Sequence, residues 1–283
     1  AGRYVTIGNL NVLIGNAAGY CMVSGCENIA IGCGAGSRQT SSTHNTSIGR
    51  SAGYANCTSS GNVAVGHSAG FGIRGANNVS IGATSGPANS CINTCDNVFI
   101  GSRTGTAYTS GCNIIAIGIN AGASSCCAAV GCNNIHIGQN TGCKVQSGDN
   151  NITIGCRAGR NLTTGRCNIF MGLYAGGTAN TGNDNVAIGN RAGAQFGANF
   201  TGLIAIGCCA GGGYGGGPYG GIFIGRCAGR YVNDTNSGDN IAIGSQAGKC
   251  MTCGANVIIG SGAMTKATAA TGNIGLGGQS LQQ

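Results

Sequence analysis

Proline is almost missing from this chain: 283 residues contain two, Pro87 and Pro218, although glycine supplies 58. Collagen needs Gly at every third position and plentiful proline, and neither is present. Charge is scarce as well, at 7% of residues against 42% hydrophobic. Disordered chains combine low hydrophobicity with high net charge, so the composition reads as an ordered chain. No apolar run approaches the roughly 20 residues needed to cross a bilayer, which excludes a membrane-inserted helix. The chain opens at Ala1 with neither methionine nor a signal peptide, which fits a processed form or an excised piece alike.

Catalytic vocabulary is equally thin. The acids number six: Glu27, Asp96, Asp149, Asp184, Asp234 and Asp239. Five of them sit just before a recurrent Asn, where turn roles suffice. A calcium site gathers several oxygen ligands, and these acids are scattered, so no metal or other cofactor is expected. His44, His67 and His136 fall in different repeats with no nucleophile–base constellation around them. The glycine-rich segments lack G-K-[ST] and a strand–loop–helix setting, so they are not phosphate loops. No catalytic residue is assigned, and the chain is expected not to be an enzyme.

What the chain has is repetition. "NVAIGNRAG" (Asn185–Gly193) returns as "NIAIGSQAG" (Asn240–Gly248), "NITIGCRAG" (Asn151–Gly159) and "NVLIGNAAG" (Asn11–Gly19). Sixteen copies follow one another at spacings of 16 to 20, most often 17. With the glycine of each "IG" as position 0, position −1 is apolar throughout and −3 is Val or Ile in all but one copy, Thr46. Position +3 is small, and +4 is Gly except at Met264 and Leu281. Residues two apart face the same way in a strand, and a helix would suffer from the recurrent glycines. Each copy therefore predicts a short strand followed by a tight corner. The fold expected is all-β: a single β-solenoid, a parallel β-roll or β-helix, of about 16 coils with a ~17-residue repeat N-[IV]-x-I-G-x-x-A-G. It spans residues 1–283 as one domain, with incomplete coils at 1–10 and 278–283. Stacking at about 4.8 Å implies a rod on the order of 75 Å long.

The strand pattern is read with −3 and −1 pointing inward and −2 outward. That core is thin, and −2 is often apolar too, so a second copy of the chain is expected against the −2 face. Position −4 is Asn in thirteen copies: Asn11, Asn28, Asn45, Asn62, Asn78, Asn97, Asn134, Asn151, Asn168, Asn185, Asn240, Asn256 and Asn273. The column reads either as a ladder of side-chain amides or as a set of residues that tolerate turn dihedrals.

The motif "N-[IV]-x-I-G-x-x-A-G" resembles the head repeats of YadA-like trimeric autotransporter adhesins, and the "NTAIG"-type repeats of phage and algal-virus fibre proteins. The resemblance covers Asn11 to Leu281. It implies parallel β-rolls, three chains wound together, displayed outside the cell for attachment. The present repeat is longer, its Asn sits one position later, and its cysteines are far more numerous.

Those cysteines number eighteen, which suggests an oxidising compartment. Cys209 and Cys227 share position +2 of consecutive coils and are the leading candidates for a structural disulfide. Cys95, Cys112 and Cys132 share −6, Cys21 and Cys26 bracket a loop as do Cys91 and Cys95, and Cys250 and Cys253 form a C-x-x-C with no second pair to complete a zinc site. Loop sequons at Asn56, Asn161, Asn199 and Asn233 are candidate glycosylation sites. Fourteen basic residues give a net charge of +8. Arg50, Arg103, Arg157, Arg191 and Arg226 fall at +1 or +2, a sparse edge stripe suited to solubility or to surface glycans; no nucleic-acid fold accompanies it.

The function expected is that of an extracellular structural protein, the subunit of a disulfide-stapled fibre built by end-to-end stacking. "AGRYV" at Ala1–Val5 recurs at Ala228–Val232, and the chain starts and stops near one point of the coil, which would let copies join end to end as well as laterally. The alternative is a trimeric adhesin or viral receptor-binding head that grips a host surface glycan or protein. An ice-binding solenoid is disfavoured by the mixed outer residues. The expected location is extracellular, or a virion or cell surface.

Overall fold

The computed structural model describes all residues except 88–93, 124–128, 195–198, 214–219, 233–238, 252–253, 268–270 and 282–283. The chain forms two compact units, Ala1–Asn140 and Thr141–Gln283. No helix occurs among the described residues; the fold is an all-β solenoid.

In the first unit the strands are β1 (Val12–Ile14), β2 (Ile29–Ile31), β3 (Thr46–Ile48), β4 (Val63–Val65), β5 (Val79–Ile81), β6 (Val98–Ile100), β7 (Ile115–Ile117) and β8 (Ile135–Ile137). The second has β9 (Ile152–Ile154), β10 (Ile169–Met171), β11 (Val186–Ile188), β12 (Ile204–Ile206), β13 (Ile222–Ile224), β14 (Ile241–Ile243), β16 (Val257–Ile259) and β18 (Ile274–Leu276). A separate parallel pair joins β15 (Cys250–Met251) to β17 (Lys266–Ala267). Within each unit, strands pair in parallel with their chain neighbours and in one register. Phe170 lies beside Ala187, and Ala187 beside Ala205, so each repeat position becomes a column.

The corner glycines are required by close approach. Gly189 has φ 131°, and a Cβ there would stand 2.7 Å from the Gly207 carbonyl oxygen of the next coil. No side chain fits under the next coil at that point. Gly176, at +4, has φ 60°, and a Cβ would fall 2.5 Å from the Phe170 ring. Between them, position +2 also takes a left-handed backbone, but with ordinary side chains, such as Arg157 (φ 59°), Arg191 (φ 55°) and Cys209 (φ 55°). A second left-handed column runs through Glu27, Asp96 and Asp184 with Asn77, Asn113 and Asn133. Asn and Asp tolerate that conformation best, which accounts for acids placed just before the Asn column.

The two faces of the strand are the reverse of the sequence expectation. The middle residue, −2, points inward: Ala30, Phe99, Ala116, His136, Thr153, Ala187 and Ile258 are all fully buried. The aliphatics at −3 and −1 point outward, half-covered by their neighbours in the column, with Ile48 37%, Ile81 39% and Ile259 41% exposed. The reason is size. The interior is closed on its other sides by the +3 alanines, such as Ala18, Ala52, Ala158 and Ala192, and by the Asn column. A ladder of paired isoleucines would overfill it. A further inward column, at +7, was not read from the sequence: Met22, Gln39, Asn56, Ile73, Tyr108, Val145, Leu162 and Met251.

Candidate functional site

The Asn column is buried from Asn28 to Asn256, with Asn11 and Asn273 partly exposed. At Asn168 the geometry is complete. Its Oδ1 accepts from the Asn185 backbone N–H at 3.1 Å and from Asn185 Nδ2 at 2.9 Å. Its own Nδ2 donates to Asn151 Oδ1 at 3.0 Å and to the Gly182 carbonyl at 2.8 Å. The pattern repeats from Asn11 to Asn28, Asn62 to Asn78, Asn78 to Asn97 and Asn256 to Asn273. Where Ile114 and Leu203 replace Asn, their backbone N–H groups still donate to Asn97 and Asn185. Gly221 provides no acceptor, and among the described residues Asn240 Nδ2 is left without a partner.

The cysteines give a different picture from the sequence. Fourteen lie among the described residues, and each is a thiol rather than half of a disulfide. This holds for Cys21, Cys26, Cys95, Cys112, Cys132, Cys209, Cys227 and Cys250; Cys91 and Cys253 lie outside the described residues. The register supplies a reason. In an in-register parallel stack, matching side chains leave the backbone in the same direction, so Cβ atoms stand about as far apart as the coils, ~4.8 Å. A disulfide needs them within about 3.5–4.5 Å, and closing Cys209 to Cys227 would require the backbone to move. Cys208 Sγ and Cys209 Sγ, neighbours in sequence, lie 3.7 Å apart.

The sequons also divide. Asn56 is 2% exposed and bonded to Ser59 and Asn62, so it belongs to the interior and not to a glycosylated loop. Asn161 is partly buried and donates to the Gly177 carbonyl at 2.7 Å. Asn199 is exposed and accepts from Thr181; Asn233 lies outside the described residues.

One histidine is internal. His136 takes the inward −2 position of β8, where its Nε2 lies 3.2 Å from the Tyr108 hydroxyl. Burial lowers the His136 pKa from 6.5 to about 4 and pushes Tyr108 well above its ordinary value. The folded state therefore holds His136 neutral, while the unfolded chain binds its proton near pH 6.5. Stability from this site is complete above pH 6.5, falls as pH drops, and levels off below about 4; the loss is about 3 kcal/mol. Urea titrations across that range are expected to show the slope in the native protein. It should flatten in His136→Phe, which installs the residue this column carries at Phe99, Phe170 and Phe223.

The outward strand face is a continuous surface feature of each unit. Two columns of aliphatic side chains run along each unit, with Thr46 the one hydroxyl and no charge in either column. Eight strands at about 4.8 Å, each about 10 Å long, make a stripe on the order of 380 Å² per unit. That is within the roughly 300–600 Å² of the largest apolar patch on a typical monomer, a patch that is often functional. No protein-family model, no curated protein and no solved structure matches the chain.

Proposed function

We propose that this chain is a structural protein that assembles with copies of itself, as the subunit of an extracellular fibre or filament. The observation that supports this reading is the uncharged aliphatic stripe on the outward strand face. Two flat faces with a matching ~4.8 Å corrugation interdigitate when stacked about 10 Å apart. Each stripe supplies about half of the ~800 Å² per partner of a standard interface. The uniform coil-to-coil bonding within each unit supports stacking of one copy on another as a second mode of growth.

The experiment places a charge on the stripe without touching the interior. Ile154→Lys with Ile188→Lys puts two ammonium groups on outward positions of β9 and β11. Sedimentation velocity at tens of micromolar is expected to show oligomers of the native chain and monomers of the variant, with monomer stability lowered by about 1–2 kcal/mol per site at most. A native chain that sediments as a monomer throughout would overturn the reading.

A further inference from the structure

Arg191, Ala194, Cys209, Gly212 and Arg230, from three consecutive coils of the second unit, line a surface pocket of about 40 Å³. That is room for roughly three waters, the bulk of one small tetrahedral anion. Arg191 and Arg230 stand on the coils either side of the one that carries Cys209 and Gly212. The two ion pairs among the described residues are His44–Glu27 and Arg166–Asp149, so neither pocket guanidinium meets a described carboxylate.

Arg230 is held in place. Its Cζ lies 5.0 Å from the Tyr231 ring centroid and its Nη1 3.9 Å from Cys227 Sγ. Arg157, farther along the +2 column, lies over the Tyr174 ring at 5.1 Å, whereas none of the described rings covers Arg191. The thiol supplies no counter-charge: burial, then the Cys208 contact, raises Cys209 above its ordinary value despite the opposing pull of Arg230. The pocket thus brings together two positive charges on planar donor forks with no described carboxylate paired to either, in a chain of net charge +8. Arginine forks match the oxygen spacing of sulfate, phosphate and carboxylate groups.

We propose that the Arg191–Arg230 pocket is an oxoanion-binding site, occupied either by a free anion or by an anionic group of a sulfated glycan. It is separate from the apolar stripe and does not depend on self-assembly.

Cys209 lines the pocket and reports its occupancy. The test follows alkylation of the full-length protein by neutral iodoacetamide, read by peptide mass mapping, in chloride, sulfate or phosphate at one ionic strength. Sulfate and phosphate are expected to slow Cys209 at least threefold and to leave the exposed Cys33 unchanged. Arg191→Gln with Arg230→Gln should abolish the protection, with circular dichroism checking the fold. The single change Arg191→Lys, which keeps the charge and loses the fork, should retain part of it, and this variant carries the test if the double change disturbs folding. Stronger protection by a sulfated oligosaccharide than by inorganic sulfate at equal sulfate concentration identifies the glycan as the source; equal protection identifies the free anion. Equal Cys209 rates in chloride and sulfate, or undiminished protection in both Arg variants, would overturn the proposal.

Discussion

Ala187→Asp is expected to abolish the cooperative unfolding transition, while Ile188→Asp, one residue on, shifts it only modestly. Ala187 is fully buried at the inward position of β11, with Phe170 and Ala205 beside it in the column. A carboxylate placed there meets no buried Lys or Arg among the described residues, and it is larger than the methyl it replaces in a packed interior. Unpaired buried charge and overpacking together are expected to remove at least about 4 kcal/mol. Ile188 faces outward and is only partly covered, so its loss should cost about 1–2 kcal/mol of packing and strand preference. The comparison is made by urea unfolding followed by circular dichroism, at concentrations low enough to suppress association. If Ile188→Asp proves the more damaging, the aliphatic columns form the interior and the assignment of faces is wrong.

Asn168→Ala is the second large effect. The truncation removes one acceptor and one donor at once. It leaves the Asn185 backbone N–H and the Gly182 carbonyl without the partners they have at 3.1 and 2.8 Å. Each buried polar group so orphaned costs about 1–3 kcal/mol, and a small void adds to this, for a loss of about 3–5 kcal/mol. Asn190→Ala, on an exposed asparagine, should stay within about 0.5 kcal/mol. Matching midpoints for the two variants would mean that the column bears no structural load.

The contrast between these sites shows what a sequence of this kind discloses. Strands, corners and the period were legible because glycine at 0 answers to a backbone that approaches another backbone, and glycine at +4 to a left-handed turn pressed against an inward side chain such as Phe170. The Asn position was legible as a column, but its bonds were not, since turn tolerance would place Asn there equally well. The direction of the strand was misread because hydrophobicity was taken to mean interior. The −2 residue shares its strand face with the buried Asn at −4, so Ala187 goes in with Asn185 while Ile188 goes out. The +7 column escaped notice because it mixes Met22, Gln39, Asn56 and Tyr108, which share a place and no chemistry. The Arg191–Arg230 pocket could not be found either: the two residues hold different repeat positions, +2 and +5, and come together only through the turn of the corner.

The uniform register within each unit has a consequence for how such a chain can change over generations. Because Val186 meets Ile204 just as Ile204 meets Ile222, the backbone pairing above a coil repeats the pairing below it. A gene segment encoding one whole coil can be duplicated or lost inside a unit, and the flanking coils close on each other with their bonding restored. Length in this architecture is inherited as a count, whereas the decoration of each coil, an arginine here and a thiol there, can drift without disturbing the neighbours.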